Sequence, residues 1–363
     1  MYICKIIKHL YNIMLPFRIL RQKLLVALLF AALTASAQVQ SFRIACLAFY
    51  NVENLFDTIK SPNTNDYDFL PDGIYRWNSE RYQKKLNDLA FVIRQIGTSR
   101  LHSGPTLLGL CEIENREVVE DLMNTPPLAE MNYGIVHHPS PDRRGVGVAL
   151  AYQRNRFEVL DSRSAELNIP DNPDFRTRNQ LVVSGVLDGL DTLHVVVVHY
   201  PSKRGGERRS APLRNAAAQL TRSIVDSIYA TNENAKIVIL GDFNDDPDSR
   251  AILRTLGARP TPEATERGGL HNTSHRAFKS GIGSYAWNDS WTMIDQIIVS
   301  QPLLSSDRST YTFWNFNVFN PEFLKQKDGR FRGYPWRMFA GTTYLGGYSD
   351  HFPVYIFLVR AAE

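Results

Sequence analysis

The chain is 363 residues long, 44% hydrophobic and 21% charged, with a formal net charge of +4. These proportions are those of a globular protein and exclude disordered, collagen-like and multi-span membrane classes. The length accommodates one large domain or two small ones.

At the N-terminus, Arg18, Arg21 and Lys23 precede an apolar run over 24–33 that gives way to Thr34-Ala35-Ser36-Ala37. A basic region, a short apolar segment and a small-x-small site are the three parts that export machinery requires. Residues 1–37 therefore read as a signal peptide cleaved after Ala37, and 38–363 as a protein exported to the periplasm or the medium. The apolar run falls short of the roughly 20 residues needed to span a bilayer, so no stable membrane anchor is expected after cleavage. Cleavage removes Lys5, Lys8, Arg18, Arg21 and Lys23 but no acid, leaving 36 basic residues against 37 acids. The positive charge is thus a targeting feature, and any polyanion site must be local. Cys46 and Cys111 remain, each inside an apolar run, and read as small buried hydrophobes without the neighbours a zinc site needs.

From residue 42 onward, strand-like runs recur at 43–50, 107–113, 146–152, 181–187, 193–199, 236–240, 294–299 and 354–359. Several are continuously apolar, as in Val195-Val-Val-Val198, the mark of strands buried on both faces. Between them, Tyr82, Leu86, Leu89, Ile93 and Ile96 follow helical spacing after candidate caps Asn78 and Ser79 and before Gly97. Leu213, Ala217, Leu220, Ile224 and Ile228 form a second helical stripe after Pro212. Interleaved strands and helices with no linker after residue 40 predict a single α/β domain over 38–363. Residues 260–285 and 303–345 lack a regular pattern and read as long loops, which in compact domains are often functional.

The strongest chemical signal is Lys236-Ile-Val-Ile-Leu-Gly-Asp-Phe-Asn244, an apolar strand ending in a carboxylate and an amide. The two-residue period places Asp242 and Asn244 on one side of an extended chain, about 7 Å apart. A carboxylate so placed can orient or deprotonate water, although a strand-ending Asp-x-Asn is by itself more often a turn. Gly347-Tyr-Ser-Asp350-His351 fixes a second proton-transfer group just before the last apolar strand. Asp295 lies within an apolar strand, where a carboxylate is costly without a partner. His199 ends the valine strand, and Asn51, Glu53 and Glu112 stand at the ends of two others. Ends of strands are where open α/β sheets assemble sites.

The ordered set Asn51-x-Glu53, Glu112, His199, Gly-Asp242-x-Asn244, Asp295 and Ser-Asp350-His351 resembles the endonuclease/exonuclease/phosphatase family, over about residues 42–359. The resemblance implies a four-layer α-β-β-α sandwich and a divalent metal, Mg²⁺ or Mn²⁺. It further implies that Glu112 is the main metal ligand, with Glu53, Asn51 and Asp350 around the ion. Asp242 would activate the attacking water and Asn244 hold a phosphate oxygen. His351 would face the scissile phosphate with support from Asp295, and His199 would bind phosphate or protonate the leaving oxygen. Cys111 stands where the family often has Gln, and Glu53 where Asp is common.

Beside His199 runs a basic loop containing Lys203, Arg204 and Arg208, with Arg214 a helical turn further on; Arg178 precedes another strand. Taken as phosphate-binding groups, they favour an exported endonuclease hydrolysing nucleic acid by in-line attack of water, acting as a monomer. The near-neutral mature chain instead suits a phosphatase or phosphodiesterase acting on lipid headgroups, inositol phosphates or other small phosphoesters. The many aromatics at 314–344 can stack bases, touch a membrane or pack the loop, and packing is the expectation. A non-catalytic binding protein retaining the fold needs a broken site, and the sequence shows none.

Overall fold

A computed structural model describes residues 2–9, 23 and 41–362. Residues 2–9 are helical, while most of the expected signal peptide, including its apolar run and cleavage site, lies outside the described residues. Among the described residues no helix is long and apolar enough to cross a membrane. Phe42–Ala361 forms one compact unit.

In chain order its strands are β1 (Phe42–Leu55), β2 (Leu107–Ile113), β3 (Tyr133–His137), β4 (Gly147–Gln153), β5 (Phe157–Ala165), β6 (Gln180–Leu187), β7 (Asp191–His199), β8 (Lys236–Asp242) and β9 (Ala258–Arg259). There follow β10 (Leu270–Asn272), β11 (Tyr285–Trp287), β12 (Ser290–Thr292), β13 (Asp295–Ser300), β14 (Thr312–Val318), β15 (Phe339–Ala340), β16 (Thr343–Tyr344) and β17 (Val354–Ala361). One sheet has the order β14-β17-β1-β2-β4-β3 and the other β5-β6-β7-β8-β13-β10-β9.

The sheets face each other across a core that includes Leu47, Phe49, Leu150, Val195, Val197, Leu240 and Ile356. Two outer cores complete the four layers. Leu86, Leu89 and Ile93 of helix Ser79–Gln95 cover the first sheet, and Ala217, Ile224 and Ile228 of helix Glu207–Thr231 cover the second. The first helix begins where the Asn78 side chain accepts the Arg81 N–H at 3.0 Å and is followed by Gly97 at φ +77°. A side chain at Gly97 would also meet Cys46 Sγ at 2.6 Å, so glycine there serves both turn and packing.

The expected single α/β domain is what folds, with several differences of detail. The loop expected at 303–345 contains β14, which pairs with β17 and shifts register between Phe313 and Asn315. That bulge breaks the alternation that would have revealed a strand. Residues 260–285 likewise contain β10 and the short helix His275–Lys279. Helix Arg116–Met123 and strands β3 and β5 go beyond the sequence-based expectation; β5 is an edge strand whose exposed residues are polar apart from Leu160.

Candidate active site

Strand register alone lines up the centre of the site. His199 pairs with Asp242 across the parallel β7–β8 ladder, and Asp242 pairs with Asp295 across the antiparallel β8–β13 ladder. The opposite sheet contributes Asn51 and Cys111, paired across β1–β2, and the last strand is led in by Ser349, Asp350 and His351. Both β1 and β2 bulge at this end, between Asn51 and Leu55 and between Cys111 and Ile113. Glu53, Asn54 and Glu112 consequently adopt left-handed φ of 51°, 55° and 60°, and Asn244 joins them at 50°. Glutamate is rarely stable in that region, and such strain, of order 1–3 kcal/mol per residue, collects where backbone geometry is held for function.

Two buried constellations meet at Asp242. In the first, His351 Nδ1 lies 2.7 Å from Asp295 Oδ2, which also accepts the Ser284 hydroxyl at 2.6 Å. Burial opposes charge on His351, but the Asp295 carboxylate, its hydrogen bond and the further acids Asp350 and Asp242 outweigh it and push the imidazole up to about 10. In the second, Asn51 Nδ2 donates to Asp242 Oδ2 at 3.1 Å, and the Asn244 N–H donates to Asp242 Oδ1 at 2.8 Å. Burial and the neighbouring Asp295 raise the Asp242 carboxyl to about 7. His199 Nε2 approaches Asp242 at 3.6 Å, yet burial and Arg178 hold His199 well below its ordinary range. It is therefore neutral, and the contact is not an ion pair. The site thus holds a charged imidazole, a neutral imidazole and a carboxylate titrating near neutrality, a combination suited to giving and taking protons around one reacting group.

The expected metal ligands divide into two groups. Glu112 and Asp350 remain partly exposed: Glu112 Oε2 accepts the Asn54 N–H at 3.0 Å, and Asp350 pairs through Oδ2 with Arg337 at 3.1 Å and through Oδ1 with His351 Nε2 at 3.7 Å. Carboxylate oxygens are a donor type that suits Mg²⁺ or Mn²⁺. Asn51 and Glu53 are placed otherwise. The Asn51 amide is spent on Asp242 and on the Glu53 N–H, which reaches its Oδ1 at 3.0 Å. Glu53 accepts the Met338 N–H at 2.7 Å and the Phe339 N–H at 3.4 Å, one on each oxygen. Burial and Asp350 raise its carboxyl to about 8, against the pull of buried Lys85. Glu53 thus fastens residues 337–339 to the site.

Of the expected phosphate-binding residues, Arg178 is buried near His199, donates to the Tyr200 carbonyl and pairs with Asp142 at 3.4 Å. Lys203 is exposed and pairs with Asp245 at 3.3 Å; Arg204 and Arg208 point into solvent. Arg214 is a correction. It is fully enclosed, with Nε 3.0 Å from Asp245 and Nη1 2.8 Å from the Ser210 hydroxyl, because its position on the helix faces the protein rather than the cleft. Ser349 of the Ser-Asp350-His351 motif donates its hydroxyl to the Asn51 carbonyl at 2.7 Å and accepts the His351 N–H at 3.1 Å. Residues that the sequence did not signal include Ser284, Arg337 and Lys85. Their roles come from contacts between distant segments, which leave no local pattern. Cys46 and Cys111 are both fully buried and free, as expected of small hydrophobes.

Residues 46–360 match the model of the endonuclease/exonuclease/phosphatase family. No curated protein matches the chain. Among solved structures, the chain is similar to a humanized TDP2 of D. rerio at 13% identity and TM-score 0.53, over 87% of this chain and 98% of that one. D. rerio TDP2 complexed with single strand DNA product shares 14% identity at TM-score 0.52, with the same two coverages. A family protein from Bacteroides thetaiotaomicron shares 15% identity at TM-score 0.50, over 89% of this chain and 100% of that one. At these identities the likeness establishes the shared fold.

Proposed function

Because the chain belongs to the endonuclease/exonuclease/phosphatase family of metal-dependent phosphoester hydrolases, we propose that it is an exported phosphodiesterase that cleaves nucleic acid. The observation that carries this reading is the convergence of the His351–Asp295 pair, 2.7 Å apart, with Asp242 in one buried row. His351, charged at neutral pH, faces the phosphate and stabilises its developing charge. Asp242, held by Asn51 and the Asn244 N–H, orients the attacking water and takes its proton. His199, neutral, is free to donate a hydrogen bond to a phosphate oxygen, and the buried Arg178 helps to keep it neutral. Glu112 and Asp350 would hold Mg²⁺ or Mn²⁺, whose chemistry here is to neutralise phosphate charge. Export rests on the sequence of residues 1–37, and a nucleic-acid substrate is in keeping with the DNA product bound by D. rerio TDP2.

The test is to incubate purified protein with plasmid, single-stranded DNA, RNA, sphingomyelin and inositol phosphates, with Mg²⁺ or with EDTA. Cleavage of nucleic acid that EDTA abolishes is the expected result, with Asp242→Ala slower by roughly 10²–10⁴-fold. Intact nucleic acid beside phosphate released from the small substrates would assign the site to a phosphatase. Equal turnover by the Asp242 variant would remove the mechanism.

A further inference from the structure

Gly109 of β2 faces Leu240 of β8 and Val197 of β7 across the central core, where a side chain would come within 2.0 Å of Leu240 Cδ1 and 3.3 Å of Val197 Cγ1. Side chains on one face of a strand recur every second residue, so the next residues on these facing surfaces are Cys111, Asp242 and His199. One donor atom of each lies within 4.8 Å of the other two, and all three residues are buried. His199 keeps 4% of its surface exposed and Asp242 2%, so the trio meets the cleft at its floor, with Cys111 fully enclosed behind them. The fold leaves the His199 ring unfinished. Its Nδ1 has no hydrogen-bond partner, and its Nε2 stands 3.6 Å from Asp242 Oδ2, beyond hydrogen-bond length. Buried polar atoms normally find partners, because a dry, unpaired one is costly. The 3.6 Å separation is close to the edge of a tetrahedron built on metal bonds of about 2.1 Å, roughly 3.4 Å.

We propose that Cys111, His199 and Asp242 form a zinc site, separate from Glu112 and Asp350, and that Zn²⁺ held there blocks turnover. Sulfur, imidazole nitrogen and carboxylate oxygen together are a donor set for Zn²⁺, whereas Mg²⁺ and Mn²⁺ favour oxygen throughout. Bonds of about 2.3 Å to sulfur and about 2.1 Å to nitrogen and oxygen require the three donor atoms to draw in by roughly an ångström at most. As the Zn–S bond forms, the thiol proton leaves to solvent. Thiolate and carboxylate then cancel the two charges of the ion, and the buried site closes neutral, with water from the cleft as fourth ligand. The sulfur is decisive, since the glutamine that the family often has at Cys111 would offer no anionic donor. With its carboxylate on the ion, Asp242 no longer takes a proton from the attacking water, and His199 no longer meets the phosphate. This consequence, though not the binding itself, rests on the roles given to both residues above.

The experiment titrates the full chain, carrying Cys4→Ser to remove the exposed thiol, with Co²⁺ as a coloured stand-in for Zn²⁺, in excess Mg²⁺ so that oxygen-only sites are filled. A thiolate-to-metal charge-transfer band that saturates at one Co²⁺ per chain and is lost on adding Zn²⁺ is the expected result. Cys111→Ala should abolish the band and weaken Zn²⁺ binding by at least about 10- to 100-fold, the loss that removing even an outer partner of a ligand causes, whereas Cys46→Ala should keep both. His199→Gln should weaken binding by a like factor, and it replaces Cys111→Ala if that variant does not fold. Zn²⁺ should also inhibit cleavage in Mg²⁺, and Cys111→Ala should turn over normally while resisting Zn²⁺ by the same factor as its loss of binding. No charge-transfer band, or one that survives in Cys111→Ala, overturns the site. Faster turnover with Zn²⁺, or equal inhibition of Cys111→Ala, overturns the block. The band without any inhibition removes the role given to Asp242 and leaves the site, whereas a chain that binds Zn²⁺ through Cys111 but cleaves no nucleic acid removes the nuclease reading alone.

Discussion

His351 and Asp242 titrate on opposite sides of the working range, and their order sets the pH dependence. The reaction as drawn needs Asp242 ionised, which happens as pH rises through about 7, and His351 protonated, which lasts until about 10. Turnover, read as kcat/KM, is therefore expected to be bell-shaped with limbs near those values. Asp295→Asn removes both the largest group holding the proton on His351 and the neighbouring charge that raises Asp242, so both limbs should move to lower pH. A descending limb that does not move would mean Asp295 plays no part in charging His351. The same pair acts on stability. The folded imidazole is raised above its ordinary 6.5, so its contribution is fully present below about 6.5 and is lost as pH climbs through about 10. Denaturant midpoints for wild type and Asp295→Asn, measured across that window, should converge at its upper end. At this scale the sequence was informative about Asp242, His351 and Asp295, whose chemistry needs burial and whose neighbours in sequence are apolar. It was silent about Ser284 and Arg337, which matter only through whom they meet.

Two glycines carry the element scale. A side chain at Gly241 would lie 2.1 Å from the Val198 carbonyl oxygen, so β7 and β8 draw together just before both strands deliver His199 and Asp242. Backbone cannot yield as a flexible side chain does, and Gly241→Ala should displace the end of β8. Loss of activity well beyond the loss of stability, compared by kinetics and denaturant unfolding, is the expected pattern. Gly109 sits instead where the sheets press together, and a side chain there would reach Leu240 Cδ1 at 2.0 Å. Gly109→Ala should overpack the central core and cost about 1–3 kcal/mol in unfolding free energy. The strands best read from sequence were the continuously apolar ones, because burial on both faces leaves no ambiguity of period. The edge strands β5 and β14 escaped because one face meets water and a bulge shifts each register.

Over the whole molecule, charge is nearly balanced once residues 1–37 are set aside, and few basic groups are left for phosphate. Of the residues expected to bind phosphate, Arg214 is sealed in the fold, Lys203 is shared with Asp245 and the buried Arg178 with Asp142, which leaves the solvent-facing Arg204 and Arg208. Affinity for single-stranded DNA should then fall with salt on a shallow logarithmic slope, of about −1 to −2, at roughly 0.7 per neutralised phosphate. A slope several times steeper would reveal a basic surface beyond the groups named here. Sequence by itself determined a single α/β domain, because apolar periodicity is a local signal, and its ordered polar residues at strand ends carried the resemblance to the family and hence to its four-layer fold. Only the tertiary structure decided that Glu53 fastens a loop, that Arg214 is enclosed and that Cys111 lies against His199 and Asp242. Those outcomes depend on which distant segments share space, and a chain read in one dimension carries no record of its neighbours in three.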